Sequence, residues 1–356
     1  MRIHSNIRDY DVHFAETEDF LAEFARFPQR CYVVDSNVWD HYKDGCLSCL
    51  WAGNVIVLPV DEDRKNLGTV QELYDRLTER SAKKNLTMVT IGGGTLQDIS
   101  GFAASTLYRG INWVFVPTTL LAQADSCIGS KTSLNYKRFK NLIGTFYPPS
   151  EVHIHAPFLA TLKEEDFYSG LGEVLKLYLM GGKGKTRELI GLLPGIRRRE
   201  AGPLLVAVKT SLLIKQDYIA GDEFDTGRRN LLNFGHCFGH ALETTSDFAV
   251  PHGQAVLVGI VFANIAARNR GLLSRETNEF LLRDVLFPNL VSRPRAAHLD
   301  AGRIFEAMKQ DKKRVGEGLA LVMLKEDHDL TKVVDFGYDE LSAAVKELGE
   351  VIRETR

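Results

Sequence analysis

Between Lys65 and Lys84 the apolar residues Leu67, Val70, Leu73, Tyr74 and Leu77 recur at three- and four-residue spacing, the stripe of an amphipathic helix. Around it stand short, mainly apolar runs of strand length: Cys31-Tyr-Val-Val34, Val55-Ile-Val-Leu58, Met88-Val-Thr-Ile91 and Trp113-Val-Phe-Val116. Each run stops at turn-forming or polar residues, namely Asp35-Ser-Asn37, Pro59 with the acidic turn Asp61-Glu62-Asp63, Gly92-Gly-Gly94, and Pro117-Thr-Thr119. Alternating strand and helix signals predict a parallel sheet, and ligands of such sheets gather at the carboxyl ends of the strands.

Beyond Thr161 the period becomes helical. Helices are predicted from Gly170 through Lys176, from Leu204 to Ile219, from His252 to Arg270, from Ala301 to Gln310 and from Tyr338 onward, with one strand at Leu319–Leu324. The stretch from Pro148-Pro149 to Pro157 reads as a link between two domains, 1–155 with the α/β pattern and 156–356 mostly helical. No internal repeat interrupts this division.

A chain of 356 residues is long enough for two domains, and 25% charged and 44% hydrophobic residues are ordinary for a soluble globular protein. With 44 Lys+Arg against 46 Asp+Glu the net charge is −2, so no global field favours nucleic acid or an anionic membrane. The N-terminal residues lack an apolar leader and no run is long enough to span a bilayer, which predicts a cytoplasmic protein. The five cysteines are scattered and odd in number, so no disulfide framework is expected; Cys46-Leu-Ser-Cys49 has no second pair with which to close a metal site.

Local chemistry is richer. Gly92-Gly93-Gly94 at a strand end removes the Cβ atoms that would keep a pyrophosphate from the backbone N–H groups, although a plain tight turn reads the same way. After Thr119 the chain is polar where a core would be apolar: Gln123, Asp125, Ser126, Ser130, Lys131, Thr132, Asn135, Lys140 and Asn141, a loop able to clamp an anion or simply a solvated one. Three of the ten histidines crowd between Arg228 and Gly253. His236 and His240 share one helix face, and a turn-like link brings in His252. A catalytic zinc needs three protein ligands and an open position, so a third ligand is expected beside two imidazoles; the bland alternative is a set of capping or core histidines.

Taken in order, Gly92-Gly-Gly-Thr-Leu-Gln-Asp98, Tyr108-Arg109-Gly110, Val116-Pro-Thr-Thr-Leu-Leu-Ala-Gln123, Asp125-Ser126, Lys131-Thr132, Lys140-Asn-Leu-Ile-Gly-Thr-Phe146, Gly172-Glu173-Val-Leu-Lys176, Leu231-Leu-Asn-Phe-Gly-His236, Gly239-His240 and His252-Gly253 resemble 3-dehydroquinate synthase and the wider sugar-phosphate cyclase superfamily. The resemblance implies an α/β nucleotide-binding domain with a parallel sheet, followed by a mostly α-helical metal- and substrate-binding domain, in a homodimer. It implies zinc (or cobalt) on Glu173, His236 and His252, with His240 left to the substrate. It implies NAD on Asp35, Asn37, Glu62, Lys65, Gly93, Gly94, Asp98, Thr118 and Thr119, with Lys140, Asn141 and Thr161 nearby. The phosphate of a sugar-phosphate substrate would be held by Lys131, Asn141, Asn233, His240 and one of Lys312 or Lys313, with Arg109 offered by the partner subunit. Lys215 and Arg229 fall at positions that meet a substrate carboxylate, and Asp125 and Lys176 line its hydroxyl-bearing side. The activity implied is cyclisation of a phosphorylated seven-carbon sugar acid to 3-dehydroquinate, by transient oxidation, phosphate elimination, re-reduction and aldol closure.

Some residues depart from that pattern. Ser130 stands where a glycine is usual, which constrains the loop if the position needs positive φ. Gln254 replaces a glutamate after His252-Gly253, which is expected to remove a charge near the metal. His153 and His155 occupy a stretch that is usually more apolar or acidic, and they read as structural. The departures keep open a cyclase of sedoheptulose 7-phosphate or glucose 6-phosphate. Further alternatives are a metal-dependent polyol dehydrogenase, against which the clustered cations argue, and a ligand-binding module without activity.

Overall fold

The computed structural model describes residues 1–51, 54–80, 82–137, 139–310 and 318–354. Lys312 and Lys313, expected at a substrate phosphate, lie outside them. Two compact units form, one of Met1–Leu162 with Ile219–Phe224 and one of Lys163–Tyr218 with Asp225–Arg356. A linear division of the chain could not show that Ile219–Phe224 returns to the first unit.

The first unit contains β1 (Arg2–Ile3), β2 (Tyr10–Phe14), β3 (Arg30–Asp35), β4 (Val55–Leu58), β5 (Thr87–Gly92), β6 (Asn112–Pro117), β7 (Lys131–Tyr136), β8 (Phe139–Phe146) and β9 (Glu151–Ile154). Seven of these make one sheet in the order β1-β2-β9-β6-β5-β3-β4, parallel except for the β1–β2 pair. The four apolar runs read from the sequence are β3 to β6. Helix α1 (Phe20–Glu23) precedes β3, and α2 (Ser36–Tyr42), α3 (Leu67–Glu79) and α4 (Gly94–Thr106) connect the four strands in turn, α3 being the amphipathic stripe. Tyr32, Val34, Val89, Ile91, Val114 and Val116 from the strands pack with Phe20, Phe24 and Phe158 in one apolar cluster.

Two expectations are corrected here. The polar run after Thr119 is not a loop throughout: it contains a single π-helical turn, Ala122–Ser126, and the antiparallel hairpin β7–β8. Side chains in β7 alternate between buried and open, so its polar residues line one face while Thr132 and Leu134 go inward. The presumed interdomain link carries β9, which sits between β2 and β6.

The second unit holds α5 (Glu164–Met180), α6 (Lys183–Arg197), α7 (Ala201–Ile219, its last residue in the first unit), α8 (His236–Thr245), α9 (His252–Asn269), α10 (Arg275–Leu281), α11 (Ala301–Lys309) and α12 (Tyr338–Glu354), with a hairpin of β10 (Leu319–Leu324) and β11 (Leu330–Phe336). Helix α9 is buried from Gly253 to Ala267 and packs against α5, α8 and α12. A helix apolar on all sides is one surrounded by others. No helix among the described residues is long and apolar enough to cross a membrane.

Where α5 meets α9 the two backbones touch. A Cβ on Gly253 would stand 1.8 Å from the carbonyl oxygen of Ser169, and one on Gly172 would stand 2.2 Å from the carbonyl oxygen of Gly253. Backbone atoms cannot step aside as a side-chain tip can, so the crossing admits no side chain there. Gly253→Ala is therefore expected to lower stability by at least about 1–3 kcal/mol, a fall in melting temperature of several degrees for a unit of this size, measured by thermal unfolding against wild type.

Candidate functional site

In the first unit, the strand ends converge as the parallel topology requires. Gly92 of β5 pairs with Pro117 of β6, and Asp35 of β3 with Leu58 of β4. Asp35 caps α2, its carboxylate accepting from the Asn37 N–H at 2.8 Å, and burial raises its pKa. Gly93 is the N-cap of α4 and lies so close to Thr119 that a Cβ would come within 2.9 Å of Cγ2. Its φ is negative, so the glycine is needed here for close approach rather than for a left-handed turn. The open N–H groups at the start of α4 face this strand-end rim, a setting suited to a phosphate. Thr161 is reached by the Tyr42 hydroxyl of α2, 3.0 Å away.

Beside it the predicted nucleotide contacts form one network. Lys65 Nζ lies 2.6 Å from Asp98 Oδ2 and donates to Asn141 Oδ1 at 2.7 Å. Ser133 donates its N–H to Asp98 Oδ1 and its hydroxyl to Oδ2 and to Asn141. Asn135 donates to Glu62, and Lys140 stands 3.9 Å from the same carboxylate. Burial pushes the Asp98 carboxyl up, opposed by Lys65 and Ser133. Ser133 escaped the sequence reading because an isolated serine in a polar run carries no signal. Asn141 has φ +52, a strained value that asparagine tolerates better than most residues.

Lys131 opens β7 with an exposed side chain, Asp125 lies in the π turn, and Arg109 is exposed with φ +59. Ser130 does take positive φ, +66, and its hydroxyl donates to Glu223 Oε1 at 2.5 Å. Glu223 also accepts from the Ser5 hydroxyl and the Asn6 N–H. A serine is thus accommodated at a strained position because its side chain has a buried carboxylate to bind.

In the second unit, Glu173, His236 and His252 come together although they lie on three helices. The α5–α9 backbone contact sets Glu173 beside His252, and Gly235, with φ +78, turns the chain into α8 so that His236 opens that helix. Both Nε2 atoms face one carboxylate oxygen: His236 Nε2 is 3.4 Å and His252 Nε2 3.5 Å from Glu173 Oε1. The other oxygen, Oε2, is 2.5 Å from Lys176 Nζ one helical turn on. Each ring is held through Nδ1, that of His236 at 3.1 Å from the Phe234 carbonyl and that of His252 at 3.1 Å from Glu243 Oε2. Nδ1 bonding to an acceptor fixes the tautomer that leaves Nε2 able to ligate.

Donor chemistry and spacing fit a divalent metal. Two imidazoles and a carboxylate are a common catalytic zinc set, and ligands about 2.0–2.1 Å from a tetrahedral ion stand about 3.4 Å apart. His240 closes the ring of histidines, its ligand nitrogen within 4.8 Å of those of His236 and His252. It is more exposed than either. Burial, then Lys176 and the neighbouring histidines, drives His236 well below the ordinary imidazole range. Burial also acts downward on His252, but the hydrogen bonds to Glu173 and Glu243 outweigh it and push the ring up to about 10.

The expected loss of charge at Gln254 is corrected. Its side chain turns away from the histidines: Nε2 donates to the carbonyls of Tyr168 and Asn289, and Oε1 accepts from the N–H groups of Val291 and Ser292. A glutamate could not donate to those carbonyls. The carboxylate behind the ligands is Glu243, which the sequence reading missed. Its signal was available, since it lies seven residues after His236 and so on the same face of α8.

Lys215 on α7 and Arg229 in the turn Arg228–Asn233 are both buried, and Asn233 and His236 line one small cavity with Asn230, Met308 and Lys332.

Comparison with known proteins agrees with this architecture. Residues 55–169 match the family described as 3-dehydroquinate synthase N-terminal, and residues 170–314 the one described as 3-dehydroquinate synthase C-terminal. The 3-dehydroquinate synthase of Clostridium tetani is 36% identical over 323 residues, 88% of this chain and 84% of that protein. Among solved structures, 2-epi-5-epi-valiolone synthase from Streptomyces hygroscopicus, with NAD+ and Zn2+ bound, superimposes with a TM-score of 0.86 at 26% identity over 96% of this chain and 97% of that one. A 2-deoxy-scyllo-inosose synthase complexed with carbaglucose-6-phosphate, NAD+ and Co2+ gives 0.81 at 22% identity, over 98% and 99%.

Two outcomes are expected. Glu243→Gln removes the charged acceptor behind His252 and weakens zinc binding about 10–100-fold, read by competition with a chromogenic chelator. Because His252 must lose its proton to ligate and its pKa is raised, metal uptake at neutral pH releases a proton, and affinity rises with pH toward about 10; calorimetry in buffers of different ionisation enthalpy measures the release.

Proposed function

Because the chain belongs to the 3-dehydroquinate synthase family of carbocycle-forming enzymes, we propose that it converts 3-deoxy-arabino-heptulosonate 7-phosphate to 3-dehydroquinate and phosphate. On this reading it is a phosphate-eliminating carbon–oxygen lyase that uses NAD and zinc or cobalt and works as a homodimer. The observation that carries the proposal is the Glu173 carboxylate divided between Lys176 and two imidazoles, a three-ligand set for a catalytic ion inside a helical unit.

Glu173, His236 and His252 would hold a divalent cation, which would supply Lewis acidity to a substrate hydroxyl, and NAD would supply a reversible hydride acceptor. Lys176 pairs with Oε2 of Glu173 and supplies its counter-charge from the same helix. The Phe234 carbonyl and Glu243 orient the two rings. Oxidation acidifies the neighbouring C–H, and loss of that proton expels phosphate by β-elimination, the phosphate group itself serving as base. The resemblance assigns to a phosphate Lys131 and Asn141 of the first unit and Asn233 and His240 of the second, donors of the kind that stabilise the charge developing on a leaving group. Holding the opened chain in one conformation then favours the intramolecular aldol closure. Asp125 is assigned to the substrate hydroxyls and Arg109 to the partner subunit's phosphate.

What favours a sugar acid over a neutral sugar phosphate is the pair of buried cations Lys215 and Arg229, which suit a carboxylate. A second reading, cyclisation of sedoheptulose 7-phosphate or glucose 6-phosphate, is compatible with the same fold, which 2-epi-5-epi-valiolone synthase shares.

A substrate panel separates them. The zinc-loaded protein with NAD is expected to release phosphate from the heptulosonate 7-phosphate, without net NADH, and to stop when a chelator is added. Release from sedoheptulose 7-phosphate or glucose 6-phosphate alone would replace the first reading by the second. Stoichiometric NADH from a polyol would overturn both in favour of a dehydrogenase.

A further inference from the structure

A second group of metal-ligating side chains lies in the first unit, on the sheet formed by β2 and β9. Parallel pairing sets His13 of β2 opposite His153 of β9, and Glu151, two residues before His153, projects from the same face. Their ligand atoms all lie within 4.8 Å of one another. His153 Nε2 is 2.8 Å from Glu151 Oε2, and the two imidazole rings stack with centroids 4.7 Å apart at 24°. Phe20 stacks on His153 at 5.5 Å and Phe24 meets it edge-on at 5.0 Å, so the inner ring is walled by aromatics while His13 lies at the solvent rim.

A buried histidine bonded to a carboxylate is on its own an ordinary satisfied pair. What that reading leaves unexplained is a second imidazole laid against the first, bringing the donor count to two nitrogens and a carboxylate. We propose that His13, Glu151 and His153 form a second metal site, which takes a borderline divalent transition-metal ion such as zinc or cobalt and is separate from the one around Glu173. Imidazole and carboxylate donors select such ions over magnesium or calcium, which prefer all-oxygen shells. Arg26 also pairs with Glu151 Oε2. The ion therefore takes Oε1, or displaces the guanidinium, which has Glu23 3.6 Å away as its other partner. Asp11, opposite Glu151 in the register and bonded to Arg2, adds negative charge to the same face. Bound there, the ion clamps β9 to β2.

Metal content of the untagged full chain tests this. After chelator treatment the protein is dialysed to equilibrium with cobalt or zinc and analysed for bound metal. Wild type is expected to hold about two ions per chain and His13→Ala about one. His252→Ala should retain one ion and a zinc-dependent rise in melting temperature that disappears in the His13→Ala/His252→Ala double variant. Because His13 is exposed, its truncation is expected to leave the far-UV circular dichroism unchanged. One ion in wild type, kept by His13→Ala and lost by His252→Ala, would overturn the second site and leave the Glu173-centred one standing. One ion in wild type, lost by His13→Ala and kept by His252→Ala, would do the reverse. Undiminished binding in His13→Ala would also overturn the proposal.

Discussion

The candidate metal centre depends on one steric fact, the contact of main chain with main chain where α5 crosses α9. With side chains at Gly172 and Gly253 the helices would stand farther apart, and Glu173 would no longer lie within 3.5 Å of the imidazole it faces. The contact does more than bring the helices close. Ser169 receives the Gly253 N–H on its hydroxyl at 3.0 Å, so the first turn of α9, whose N–H groups have no partner within the helix, is tied to α5 at the point where His252 begins the helix. Position and orientation of that ligand thus follow from backbone packing rather than from the metal.

Charge is arranged with the same economy in both units. In each, a buried carboxylate has a lysine on one side and further hydrogen-bonding groups on the other: Lys176 with Glu173, which also faces two imidazoles, and Lys65 with Asp98, which also accepts from Ser133. An unpaired carboxylate in such places costs several kcal/mol, about 3–5 in measured cases. The pairing explains why lysines can be as buried as apolar residues here. It also separates the two oxygens of Glu173 by task, one neutralised within its own helix and the other turned toward histidine.

Much of this was legible in the sequence because the signals were long or periodic. Strands β3 to β6 are short, mainly apolar runs, helix α3 is a clean stripe, and three of the strands end on Asp35, Gly92 and Pro117, where the nucleotide contacts were expected. The ligand set itself was reached through family resemblance; periodicity alone reached His236 and His240, two residues on one helix face. What escaped was short or polar. β1 and β2 have few residues, and β2 pairs with a strand far along the chain, β9 is flanked by prolines, and β7–β8 is polar on the side that carries its functional groups. Gln254 misled for a different reason: it lies two residues after His252, but its side chain points to the backbone of Tyr168 and Asn289, and only the fold reveals which residue stands behind His252.

The intrahelical pair of Lys176 and Glu173 has one more consequence. Since the carboxylate already has a counter-charge from the same helix, α5 can bury it before any ion arrives, and the emptied pocket is not a cavity holding an orphan anion. Folding of the helical unit therefore need not wait for an ion: the charge that Glu173 carries into the interior is met by Lys176 whether or not the position facing the imidazoles is filled.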